Sequence, residues 1–222
     1  MTITNKFSTV HTTAKSGRAI KHIVIHYTAG VTSRAGSAVN TADYFRTTST
    51  QVSSDFIVDD TAVVQYNPDI KNRYTWHCGG SKYNTKGGSL YGICKNSNSI
   101  GIEICCNNST GKMQNANDKS YSFTGAAVDN AAELVKQLMA EYNIPAENVI
   151  RHYDVTGKPC PGIIGWNLDS GSEDKWQAFK ASLTASAPKY YVQVGAFGSK
   201  ANAEKYLAEV KKIYPDAFIK VM

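Results

Sequence analysis

No stretch of this chain is apolar for the roughly 20 residues that a membrane-spanning helix needs, so membrane insertion is not expected. The opening Met1-Thr2-Ile3-Thr4-Asn5-Lys6-Phe7 lacks the apolar core of a secretory signal, so synthesis in a reducing cytoplasm is expected. Five cysteines, Cys78, Cys94, Cys105, Cys106 and Cys160, are an odd number without a repeated C-x-x-C, which argues against a disulfide scaffold. The net charge is +6, yet there is no Arg-rich run and no recognition-helix motif, so nucleic acid is not an expected partner. Scattered positive charge serves solubility or attraction to a polyanion such as a cell wall. The 222 residues, 42% hydrophobic and 19% charged, suffice for one good domain and a small second one.

What is present alternates between strand and helix patterns. Ile20–Tyr27, Ser99–Cys105 and Val149–Arg151 read as apolar strands. Asp55–Val58 and Thr61–Tyr66, joined by Asp59-Asp60, read as a β-hairpin. Ser37–Thr48 reads as a helix with Val39, Ala42, Tyr44 and Phe45 inward. Thr124–Tyr142 is the clearest helix, with Val128, Ala131, Val135, Leu138 and Tyr142 at helical spacing and Thr124 as N-cap. Glu173–Leu183 is another, packed through Trp176 and Phe179. Residues 79–98 read as a long polar loop. The expected fold is α/β, a mixed central sheet flanked by helices over residues 1–183. A linker at 184–189 precedes a small β-α-β unit at 190–222, with strands at Tyr190–Val194 and Ala217–Val221 around a helix capped by Ser199.

The chemistry concentrates in His152-Tyr153-Asp154-Val155-Thr156-Gly157-Lys158-Pro159-Cys160-Pro161, read as a loop. His152 and Cys160 are both zinc-ligand types, and a distant strand ends on His26. Three N/S donors without an obvious fourth suggest a Zn²⁺ site with one open position, since structural zinc normally shows four ligands in two tight pairs. Lys158, two residues from the thiol, is placed to stabilise a developing oxyanion. Glu103 interrupts Ile-Gly-Ile-Glu-Ile and is costly to bury without a partner. It reads as a general base beside the metal, or as an edge-strand residue facing water. His77, in Trp76-His77-Cys78-Gly79, reads as a cleft residue meeting substrate, or as a loop brace. Trp76 and Tyr27 are assigned to substrate beside it. Cys105 and Cys106 point to opposite faces of their strand and read as packing residues.

These motifs, in this order, resemble the type 2 N-acetylmuramoyl-L-alanine amidases, which include phage endolysins, bacterial autolysins and peptidoglycan recognition proteins. The segments Ile25–Thr28, Trp76–Gly79, Asn98–Glu103 and His152–Pro161 carry the resemblance, which spans roughly residues 18–183. It implies His26, His152 and Cys160 as zinc ligands, Lys158 as oxyanion stabiliser and Glu103 as catalytic glutamate. The substrate it implies is peptidoglycan, cut between N-acetylmuramic acid and the L-alanine of the stem peptide. Ser54 stands where other members carry a catalytic tyrosine, and Asp55 where a histidine is often found.

The segment Val192–Phe197 resembles the opening of a sporulation-related (SPOR) repeat, a peptidoglycan-binding module. Residues 190–222 correspond to half of such a unit, so pairing of two chains into a homodimer is expected. A non-catalytic wall-recognition module is the alternative, but Glu103, Lys158 and Cys160 occurring together argue against it. Action on the wall after release from the cytoplasm, as an endolysin or an autolysin, is the implied setting.

Overall fold

The computed structural model describes residues 3–185 and 193–220. They belong to two compact units, residues 1–185 and 186–222. The first contains strands β1 (Ile3–Asn5), β2 (Thr12–Ala14) and β3 (His22–Tyr27), then helix α1 (Ser37–Thr47). Strands β4 (Phe56–Val58), β5 (Val63–Gln65), β6 (Arg73–Thr75), β7 (Ser99–Ile104), β8 (Asn107–Asn108) and β9 (Tyr121–Ser122) follow. Helix α2 (Gly125–Tyr142), strand β10 (Val149–Arg151) and helices α3 (His152–Thr156) and α4 (Asp174–Thr184) complete it.

Six strands form one sheet in the order β1-β5-β4-β7-β3-β10. All neighbours are parallel except the β4–β5 hairpin. Strands β3 and β7 are buried at every residue, as parallel strands covered on both faces must be. On one face Ile23, Ile25, Ile100, Ile102, Phe56 and Val58 pack against α2 and α4. On the other, Ile57 and Val64 meet Ala38, Ala42 and Phe45 of α1. Further along that second face Val24 packs with Ile150, Val155, Cys78 and Cys94. Cys105 lies in the α1 cluster and Cys106 in the α2 cluster, so adjacent thiols fill opposite sides of the sheet.

Local chemistry sets the element ends. Thr124 Oγ1 accepts from the Ala127 N–H at 3.1 Å, opening α2. Asn143, at φ 53°, closes that helix in the left-handed conformation. In the hairpin turn Asp59 Oδ1 accepts from the Thr61 and Ala62 N–H groups at 2.9 and 2.8 Å. Its Oδ2 accepts from the Ala38 N–H at 3.0 Å, tying the turn to the start of α1.

Three expectations change. Tyr44 is 50% exposed rather than inward, because α1 meets the sheet through Ala38, Ala42 and Phe45, one turn apart. His152–Thr156 forms a short helix instead of a loop. In the second unit Ser199 caps helix α5 (Lys200–Val210), accepting from the Asn202 N–H at 3.3 Å. However, residues 193–194 and 217–220 form no strand, having no hydrogen-bonded neighbour strand among the described residues. Residues 190–192 and 221, the rest of the two expected strands, lie outside the described residues. Phe197 and Tyr206 pack at 5.2 Å between centroids, while Ile213, Tyr214 and Phe218 are largely exposed. Among the described residues no helix is long and apolar enough to cross a membrane.

Candidate active site

The register of the central strands builds the site. His26 of β3 lies opposite Glu103 of β7, and Arg151 of β10 lies opposite Ile25. His152 is the first residue after β10, so the turn into α3 delivers it beside the end of β3. The rings of His26 and His152 stand 4.9 Å apart between centroids, at 69°. Arg151 secures that turn. Its Nε and Nη2 donate to Asp154 at 3.0 and 2.6 Å, and its Nη1 donates to Trp166 O and Glu173 Oε1, both at 2.6 Å. The Asp154 carboxylate also accepts from the Arg151 N–H at 2.7 Å, capping α3.

Gly157 ends α3 at φ 80°, where a Cβ would lie 2.7 Å from the Asn84 carbonyl oxygen. Only glycine suits that backbone and that gap. The chain then doubles back, and the Tyr153 N–H donates to the Cys160 carbonyl at 3.0 Å. This fold-back puts Cys160 Sγ 3.6 Å from His26 Nδ1. One donor atom from each of His26, His152 and Cys160 lies within 4.8 Å of the others, and all three residues are buried.

Burial governs their protonation. It pushes both imidazoles down, His26 well below its ordinary value and His152 to about 3. The neighbouring Lys158 ammonium pushes the same way. Neutral imidazoles are the ligating form. Burial raises the Cys160 thiol to about 12, with Lys158 opposing and Glu103 assisting. Glu103 is 8% exposed on an interior strand, not at an edge, and its Oε2 has no hydrogen-bond partner among the described residues. Burial raises its carboxyl to about 8, with Lys158 again opposing. The Lys158 side chain is exposed, so the ammonium acts on this buried group from the rim.

The three residues assigned to substrate all make contacts within the protein. His77 is buried, with Nδ1 3.1 Å from His26 Nε2 and Nε2 3.2 Å from Ser99 Oγ. Trp76 is half-buried and donates from Nε1 to Thr13 Oγ1 at 2.9 Å. Tyr27 is 5% exposed, donates to the Ala116 carbonyl and stacks edge-on with Tyr121. The polar groups of all three are spent on the protein itself.

Asp55, where a histidine is often found in the resembled family, has a clear task here. Fully buried, its carboxylate accepts from Gly101 N, Thr75 Oγ1 and Asn67 Nδ2 at 2.8, 2.9 and 2.6 Å, with Arg18 Nη2 3.9 Å away. It thereby braces β7 two residues before Glu103. Ser54 is equally buried, its single hydroxyl proton shared between the carbonyls of Phe56 at 2.5 Å and Gly101 at 3.1 Å. Sequence reasoning missed Arg18, which stands between Lys15 and Lys21 and looks like one more surface cation ahead of an apolar strand.

Comparison with known proteins places this arrangement. The SPOR domain profile matches residues 186–222. N-acetylmuramoyl-L-alanine amidase XlyA of Bacillus subtilis (strain 168) is 34% identical over 171 residues, 77% of this chain and 46% of that protein. N-acetylmuramoyl-L-alanine amidase CwlA of the same organism is 31% identical over 192 residues, 86% of this chain and 57% of that protein. The chain thus spans about half the length of these curated relatives. The solved catalytic domain of XlyA superposes with a TM-score of 0.55 at 32% identity, covering 82% of this chain and 99% of that one. PlyL superposes with a TM-score of 0.58 at 30% identity, covering 83% and 98%. Residues 16–163 match the family profile described as N-acetylmuramoyl-L-alanine amidase, and the chain belongs to that family.

Proposed function

We propose that this chain is a zinc-dependent peptidoglycan hydrolase that cuts the amide between N-acetylmuramic acid and the first L-alanine of the stem peptide. The observation that carries the reading is the meeting of His26, His152 and Cys160 beside the unpartnered buried carboxylate oxygen of Glu103. The donor set fits zinc, being two imidazoles kept neutral by burial and one thiol. His26, His152 and Cys160 would hold Zn²⁺, which as a Lewis acid polarises a carbonyl and makes a nearby water more acidic.

Glu103 takes the proton of the attacking water at its carboxylate and returns it to the departing nitrogen. Glu103 pairs with His26 across the sheet, and its Oε2 is bonded to nothing else among the described residues, so the carboxyl can serve both steps. The Lys158 ammonium at the rim holds the oxygen that gains charge as the carbonyl carbon becomes tetrahedral. The unit at residues 186–222 binds the wall, and its exposed Ile213, Tyr214 and Phe218 support pairing with a second copy into a homodimer. Glu103, Lys158 and Cys160 occurring together favour catalysis over wall recognition alone.

Incubation with purified cell walls tests the reading. New amino termini on L-alanine should appear, stop when a chelator is added, and resume with Zn²⁺. Walls left intact by the zinc-loaded chain, or the release of new reducing sugar ends alone, would overturn it. Sedimentation of the full chain at micromolar concentration tests the pairing, and a monomer rules it out.

A further inference from the structure

A chain of hydrogen bonds runs from the surface loop to the donor cluster, and its direction is fixed from one end. Ser99 Oγ donates to the Lys95 carbonyl at 2.7 Å. A hydroxyl has one proton, so the same oxygen can only accept from His77 Nε2 at 3.2 Å. Nε2 of His77 therefore carries hydrogen. The ring is buried, which disfavours its charged form, so Nδ1 is left as an acceptor. That Nδ1 lies 3.1 Å from Nε2 of His26, with the two rings edge-on at 88°. His26 must then donate from Nε2. Its free lone pair is on Nδ1, the atom that faces Cys160 Sγ.

The fold makes room for this relay. A Cβ at Gly101 would lie 2.6 Å from Cγ of His77, so the glycine of β7 is the floor on which the ring lies. The Asn96 side-chain carbonyl accepts from the His77 and Cys78 N–H groups at 3.1 and 2.8 Å, fixing the backbone that carries the ring. Every member is thus held by something other than the ligand it serves.

We propose that His77 is a positioning residue that locks His26 in the Nε2–H tautomer and so presents its Nδ1 to the cation. The proposal rests on the zinc reading above. It adds that the metal-facing atom of His26 is chosen three groups away, at the Lys95 carbonyl. Hydrogen-bonded partners of this kind typically affect metal affinity on the order of 10–100-fold.

The test measures Zn²⁺ affinity of the full chain by competition with a chromophoric chelator, and does not depend on turnover. His77→Leu removes the acceptor and is expected to weaken Zn²⁺ binding on the order of 10–100-fold. His77→Asn places an amide oxygen near the position of Nδ1 and is expected to recover most of that loss. Unchanged affinity in the leucine variant overturns the proposal. So does an equal loss in both variants, which would mean that the ring only fills space. Nitrogen-15 NMR of the native chain decides even if the variants do not fold. Hydrogen on Nε2 of both His26 and His77 is expected with and without Zn²⁺, and hydrogen on Nδ1 of His26 overturns the proposal. Failure of the native chain to bind Zn²⁺ would instead sink the zinc reading, while the tautomers remain measurable in the metal-free chain.

Discussion

Glu103→Gln should make the metal-free chain more stable, and only at high pH. The carboxyl rises from 4.5 to about 8 because it is buried, with Lys158 recovering only part of the cost. The folded value lies above the unfolded one, so the fold favours the protonated form. That contribution is whole below about pH 4.5 and is lost as the pH climbs through about 8. At 1.36 kcal/mol per unit, the loss is on the order of 5 kcal/mol, a large share of the 5–15 kcal/mol that keeps an ordinary domain folded. At 8% exposure solvent screens little of it. Glutamine has no charge to bury, so its advantage over wild type should grow by several kcal/mol between pH 5 and pH 9. Urea unfolding of both full chains with chelator present, at pH 5, 7 and 9, reads this difference directly. The depressed histidines titrate in both proteins and largely cancel. Parallel pH profiles, agreeing within about 0.5 kcal/mol, would refute the idea that Glu103 is an uncompensated buried acid. Added Zn²⁺ should shrink the gap, because a cation beside the carboxylate offsets the cost of its charge.

Lys158→Ala should lower turnover on cell walls on the order of 10²–10³-fold while leaving Zn²⁺ content unchanged, as metal analysis of the purified variant will show. Zn²⁺ binding should release at least one proton near neutral pH, because the Cys160 thiol, raised to about 12, must ionise while the depressed imidazoles have no proton to lose. Titration calorimetry in two buffers of different ionisation enthalpy counts those protons, and a count of zero would contradict the assignment. Asp55→Ala should cost on the order of 3–5 kcal/mol in urea unfolding, since it strands Arg18 and three hydrogen-bond donors in the interior.

Much of this was legible because one signal dominated each element. Helix α2 has apolar residues at helical spacing and a threonine cap, and both survive in the structure. Strands β3 and β7 read as buried because they are apolar throughout. The short strands β1 and β2 were not legible. Each has three residues, Ile-Thr-Asn and Thr-Thr-Ala, and owes its form to the partner it lies beside. Helix α3 was hidden by Gly157 and two prolines, which look like loop residues until Arg151 and Asp154 are seen to clamp its first turn. His77 was legible as a residue of consequence but not as to its use, because sequence does not say what each ring nitrogen faces. Tyr44 was misplaced because an aromatic beside Phe45 looks like core, whereas α1 turns it outward.

What sequence spacing could not supply at all was register, and register is what makes a site from these parts. His26 and Glu103 lie 77 residues apart in the sequence, yet they pair directly. Side chains alternate along a strand, so shifting β7 by one residue against β3 would swap its two faces. Glu103 would then enter the cluster that holds Ile102 and Ile104, and Gly101 would no longer leave space for His77. Asp55 guards against that slip, since its carboxylate accepts from the Gly101 N–H in the present register. The buried Arg18–Asp55 pair, costly as a source of stability, therefore has a rationale as a register pin. It holds the strand that carries the general base in step with the strand that carries a metal ligand.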